Sequence, residues 1–184
     1  MTQRDPAPGS LETIRRFVNT FDAEQDADAL DSPESLERFL LDTGLFGEAE
    51  SVTEDDLVRV RTVREALRAL MHANHGDDLD PGAVPLLNDA AARAKLTFTF
   101  DPSHACAIES VTGGVDGAIG RVLAIVYRAM VEGTWERMKA CRSDSCQWAF
   151  YDRSKNHSSK WCSMEVCGNR EKARTYRRRR AVGA

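Results

Sequence analysis

Four of the five cysteines fall in one short stretch, Cys141-x4-Cys146-x15-Cys162-x4-Cys167. Four thiolates can complete a tetrahedral zinc shell with Zn–S distances near ~2.3 Å. That geometry sets the sulfurs only ~3.8 Å apart. Each close pair must then come from one tight turn, and the two turns must face each other. The order of the residues allows this. Gln147–Asp152 is strand-like, Arg153–Ser159 is a polar turn, and Lys160-Trp161 leads back to Cys162, so the 15 intervening residues can fold as a hairpin. A shell closed by four protein thiolates leaves no open position for water, so one structural Zn2+ is expected rather than a catalytic one. Two disulfides are the competing reading, because the four-residue spacing is looser than the two-residue spacing of common zinc ribbons. His157, in the intervening turn, could also replace one cysteine. The opening Met-Thr-Gln-Arg-Asp-Pro has no apolar secretory segment. A cytoplasmic, reducing location is therefore expected, and that favours metal over disulfides.

Directly after the last cysteine the chain turns basic. Asn169 is placed to cap a helix and Glu171 suits its first turn. Arg177-Arg178-Arg179-Arg180 would repel one another unless a polyanion neutralised them. Lys155, Lys160, Arg170, Lys172, Arg174 and Arg177, Arg178, Arg179 and Arg180 are the candidate contacts to duplex DNA. Arg170 and Arg174, one helical turn apart beside the metal, are the candidates for base edges. A solvated tail, or one docked on acidic residues of the same chain, is the alternative. The charge distribution frames the choice. Residues 1–136 hold 12 Lys+Arg and 25 Asp+Glu, a net of −13, whereas residues 137–184 hold 13 and 4, a net of +9. The chain is an acidic body followed by a basic module.

The elements that position these residues are mainly helical. Residues 1–10 read as a disordered lead and 11–136 as a helical body. Leu11–Phe21 carries Leu11, Ile14, Phe17, Val18 and Phe21 at helical spacing. A second helix runs from Pro33 to Asp42, capped by Ser32. A third starts at Thr53, with Asp56 completing a capping box, and ends near Asn74–Gly76. A fourth covers Ala83–Ala94. Lys95–Phe100 alternates as a strand, turns at Asp101-Pro102-Ser103-His104, and returns over Ala105–Val111. Gly117–Glu132 is the most apolar helix. The expected fold is mainly α (α+β): an acidic helical body with one small antiparallel sheet, then at 137–184 a small C-terminal zinc module with a hairpin and a basic helix. No apolar run approaches the ~18–20 residues needed to span a bilayer, so no membrane partner is expected.

Cys162-Ser163-Met164-x-x-Cys167-Gly168-Asn169-Arg170 resembles the signature of the CGNR zinc-finger family. Cys141-x4-Cys146-x-x-x-Phe150-x-Asp152-x-Ser154 and Trp161 are similar to that family's upstream pattern; Ser158-Ser159 stand where its members tend to carry arginines. Asn19-Thr20 and Arg61-x-x-Arg64-Glu65-Ala66-Leu67-Arg68 resemble the weaker motifs of the ABATE domain that usually precedes this finger. The resemblance implies structural zinc at Cys141, Cys146, Cys162 and Cys167, DNA binding by the finger, and a stress-linked transcription regulator in bacteria.

In the body, Arg61, Arg64 and Arg68 share one helix face beside the apolar stripe. With Asn19 and Thr20 they could form a pocket for a small anionic effector, a carboxylate or phosphate. A solvated face with pairs such as Arg61–Glu65 is the simpler reading. Cys106 reads as a small hydrophobe, and His72 and His75 as capping or solvated residues near a helix end. No nucleophile–base pair is evident, so no enzyme is expected. The function expected is a DNA-binding regulator whose body senses an effector or forms a homodimer; the alternative is a zinc-containing protein-interaction adaptor.

Overall fold

The computed structural model describes residues 5–46, 51–102 and 106–182. Residues 1–4 of the expected lead and Ser103-His104 of the expected turn lie outside these. The rest of the lead is ordered against the body. Ala7 is buried, and its N–H donates to the Glu12 carboxylate at 2.7 Å.

The helices form where capping and apolar periodicity coincide. Helix α1 (Leu11–Val18) buries Leu11, Ile14, Phe17 and Val18 along one stripe. It stops short of the expected Phe21, which instead opens a two-residue strand, β1 (Phe21–Asp22), paired antiparallel with β2 (Ala27–Asp28). Helix α2 (Pro33–Asp42) starts at Ser32, whose hydroxyl accepts from Ser35 N–H, with Pro33 at the first helical position. Helix α3 (Glu54–Ala73) starts at the Thr53–Asp56 capping box and ends at Asn74. Helix α4 (Ala83–Arg93) precedes the hairpin of β3 (Leu96–Phe100) and β4 (Cys106–Ser110), in which Phe98 faces Ile108 across the ladder. Helix α5 (Gly114–Val131) runs through the middle and touches α1, α3, α4 and β4. Gly120 permits its close approach to the hairpin, since a Cβ there would lie 2.6 Å from Ser110 Cβ.

The main core draws Ile14, Val18, Leu36, Leu67, Met71, Ile119 and Val122 from the helices. It also takes in Met138 and Ala140 of β5 (Met138–Ala140) and Ala149 of β6 (Ala149–Tyr151). Here the structure corrects the expected hairpin. Strand β6 does not pair with the stretch leading to Cys162; it pairs with β5, with Lys139 opposite Phe150. The upstream partner wins because Met138 and Ala140 bury completely against the helical body, whereas Ser158–Trp161 is too polar to do so. Among the described residues the body thus carries two small sheets, and a third joins it to the basic module.

Candidate metal centre and basic helix

The first ligand pair sits in the loop of the β5–β6 hairpin. Cys141 N–H donates to Trp148 C=O at 2.9 Å, and Cys146 N–H to Ser143 C=O at 2.8 Å, which folds Cys141–Cys146 into one turn. Gln147 completes the turn in the left-handed region at φ 50°. The second pair approaches from the other side. Arg142 N–H donates to Lys160 C=O at 3.1 Å and brings Cys162 alongside the first turn. Ser163 then caps a π-turn, Met164–Gly168, by accepting from Val166 N–H at 3.3 Å, and this turn holds Cys167.

All four sulfurs lie within 4.8 Å of one another, with Cys146–Cys162 at 3.6 Å and Cys162–Cys167 at 3.7 Å. These spacings fit the ~3.8 Å edge of a zinc–thiolate tetrahedron and far exceed the ~2.05 Å of a disulfide. Cys141, Cys146 and Cys167 are buried, with Trp148 and Trp161 packed against them. Crowding sets the electrostatics. Hydrogen bonds from the Cys141 and Cys162 thiols hold the Cys146 thiol far below its ordinary range. Hydrogen bonds to Cys141 and Cys146 push Cys162 well above it, and burial raises Cys167 to about 12. Four thiolates cannot share this volume unless a cation neutralises them, and the donor set and spacing suit one structural zinc ion. His157 lies apart from the cluster, in its own left-handed turn.

A buried ion pair shapes the loop between the ligand pairs. Lys139 and Asp152, 2% and 1% exposed, meet at 3.0 Å. Lys139 Nζ also donates to His157 C=O, while the Asp152 carboxylate accepts from Ser154 N–H and Ser159 N–H at 2.9 and 3.0 Å. Burial acts to raise the Asp152 pKa, but the Ser154, Lys139 and Ser159 hydrogen bonds outweigh it and hold it well below the usual carboxylate range. This is the physical content of the Phe150-x-Asp152-x-Ser154 string. The loop it fixes exposes Lys155 and Lys160.

Asn169 is not the cap the sequence suggested. Because Ser163 starts the helix earlier, α6 (Asn169–Val182) continues from the π-turn without a break. Asn169 sits inside it, donating to Glu165 C=O at 3.1 Å. Among the expected DNA contacts, Lys172 and Arg177–Arg180 are exposed along α6. Arg170 pairs with Glu24 of the body at 2.9 Å, and Arg174 lies 3.8 Å from Asp144 and 3.9 Å from Glu171. The structure therefore brings Lys155, Lys160 and the helix onto one module, with Arg170 and Arg174 nearest the metal turn.

The body residues expected to form an effector pocket are brought together and committed internally. Arg64, 3% exposed, forks onto Asp28 at 2.7 and 2.9 Å and also bonds Thr20 Oγ1 and Glu65. Arg61 donates to Leu30 C=O at 2.8 Å and lies 3.2 Å from Asp28. Asn19 uses both ends of its amide on the edge of β6, donating to Ala149 C=O at 2.9 Å and accepting from Ala149 N–H at 2.7 Å. Arg64 is neither solvated nor open to an outside anion, because the anion it holds is the chain's own Asp28, whereas Arg61 also lines a cavity of about 550 Å³ between α3 and α4.

Arg68 and His75, read from the sequence as part of an anion-holding face and as a capping or solvated residue, instead help lock the finger to the body, a role that sequence reasoning missed. Arg68 donates to Val18 C=O and Gln147 C=O, both at 2.7 Å. Asn74 donates to Trp135 C=O and Met138 C=O, and His75 Nε2 meets Ala140 C=O at 2.7 Å. Arg142 pairs with Asp77, and Arg153 donates to Pro6 C=O. Most partners are backbone carbonyls, which no residue pattern advertises.

Fold and site together define a zinc-finger protein: a closed four-cysteine metal module with a basic helix, set on a helical acidic domain. Residues 137–180 match the CGNR zinc finger, and residues 13–132 match the ABATE family, described as "Putative stress-induced transcription regulator". The chain belongs to the ABATE family and carries a CGNR finger at its C-terminal end. No curated protein matches it.

Proposed function

We propose that this protein is a DNA-binding transcription regulator that performs no catalysis, in which zinc holds the finger and α6 supplies the contact to duplex DNA. The observation that carries the reading is the placement of α6. It emerges from the turn that holds Cys167, so one end is anchored by the metal centre, while Lys172 and Arg177–Arg180 project exposed from it. Four adjacent arginines repel one another in water, and a phosphate backbone relieves this while releasing condensed counterions. Lys155 and Lys160 add two exposed cations on the same module. The acidic body opposes non-specific adhesion and orients the finger.

The test is binding of the zinc-loaded protein to duplex DNA across a salt series. Neutralising five to seven phosphates gives a log–log slope of roughly −4 to −6. Replacing Arg177 and Arg178 by Ala should weaken all sequences alike and flatten the slope by about two. Arg174→Ala should relax sequence preference, since its position next to the metal turn suits a base edge. No salt-dependent affinity at low ionic strength would remove the reading and favour an adaptor that contacts acidic protein surfaces.

A further inference from the structure

A cavity of about 550 Å³ opens on the side of the body formed by α1, the end of α2, β4 and α5. Its apolar walls are Leu45, Ile108 and Ile125, and its charged residues are Arg121, Arg128 and Glu109. The volume is that of small-molecule sites, which combine apolar walls with a few polar groups. Arg121 and Arg128 are seven residues apart on α5, so they lie on one face about 10.5 Å apart along the axis. Arg121 is fixed in place, donating to Leu45 C=O at 2.8 Å. The Arg128 guanidinium has no hydrogen bond or ion pair among the described residues, and it also lines a second cavity of about 330 Å³ shared through Ile125. The Thr13 hydroxyl at the rim is likewise unpaired among the described residues.

This is the reverse of the Arg64 cluster. There every guanidinium is bound to the chain's own acceptors; here one exposed guanidinium stands beside a cavity of mixed polar and apolar walls, with its planar donor fork unpaired within the chain. The lining carries two cations and one anion, an excess of one positive charge. We infer that this cavity binds a small organic monoanion, a carboxylate bearing an apolar group, with Arg128 forking onto the carboxylate and Leu45, Ile108 and Ile125 covering the apolar part. Arg121 supplies a second, pre-positioned donor. The inference concerns the body alone and stands or falls independently of DNA binding by the finger.

The probes are phenylacetate, octanoate and 3-methylbutanoate, with phenylacetamide and inorganic phosphate as counterparts, added to the full-length zinc-loaded protein. The readouts are the melting temperature and the methyl NMR signals of Ile108 and Ile125. At least one carboxylate should raise the melting temperature and move both methyls, while phenylacetamide and phosphate do neither. Arg128→Ala should weaken that carboxylate about tenfold or more, as expected for loss of a hydrogen bond to a charged group, with Arg128→Lys intermediate. Arg16→Ala, an exposed arginine on α1, should leave binding unchanged. If Arg128→Ala does not fold, Arg128→Gln replaces it. The inference is overturned if none of the three carboxylates moves the two methyls up to about 10 mM, where even millimolar binding shifts stability by mass action. It is also overturned if phosphate or the amide binds equally well, or if the Arg128 variants bind as tightly as the parent.

Discussion

Removing the Asp28 carboxylate tests whether Arg64 is structural. In Asp28→Ala the guanidinium of Arg64, whose side chain is 4% exposed, loses both hydrogen bonds of its fork. Breaking a buried pair from one side costs about 3–5 kcal/mol, because a charge is left without its partner. Arg64 keeps Glu65 at 2.8 Å and Thr20 at 3.1 Å, and the Asp28 side chain is 18% exposed, so the cost here should be about 2–4 kcal/mol. Urea denaturation at neutral pH measures it directly. Adding Arg64→Met should recover part of the loss, since the double variant has no orphaned charge. The pH dependence gives a second check. Burial acts to raise the Asp28 pKa, but the hydrogen bonds of Arg64 and Leu30 N–H and the charges of Arg64 and Arg61 outweigh it and hold it below its ordinary value. A depressed folded-state pKa means that the unfolded chain binds more protons in the window between the two values. The contribution of Asp28 is therefore full above the unfolded value, about 3.9, and is lost as pH falls through the folded one. Wild type should lose more stability than Asp28→Ala over that window. A cost below about 1 kcal/mol at neutral pH would refute the argument, because water would then be satisfying Arg64 and the guanidinium would be available to an outside anion.

Two further outcomes follow from the same contacts. Stripping zinc with a chelator, or Cys162→Ser, should speed amide hydrogen exchange across residues 160–182 and leave β5–β6 protected, because Asn19, Arg68, Asn74 and His75 hold that hairpin without the metal; equal loss in both segments would contradict it. Asp152→Ala should cost about 3–5 kcal/mol by leaving Lys139 buried and unpaired, and should disorder the 153–159 loop, measurable by denaturation and by NMR of Ser154 and Ser159; Lys139→Met on that background should restore stability but not the loop.

The features legible in the chain are local ones. Ser32-Pro33 and Thr53–Asp56 start their helices because a cap and its partner are three residues apart and need nothing else. The 96–110 hairpin follows from alternation, and the four ligands from thiol chemistry at a spacing that two turns can satisfy. Where two partners competed for one segment, packing in three dimensions settled the choice. Strand β6 chose β5 over the return to Cys162 because burying Met138 and Ala140 in the common core outweighs pairing with a polar segment. Asn169 lost its cap role to Ser163, six residues earlier, once Cys167 had to reach the metal from within a π-turn. Arg61 and Arg64 had the residue types of an anion pocket, and Arg128 was one arginine among many. Which guanidinium is bound and which is free depends on where Asp28 and the carbonyls of Val18, Leu30 and Gln147 arrive in space, and a one-dimensional pattern cannot encode those positions.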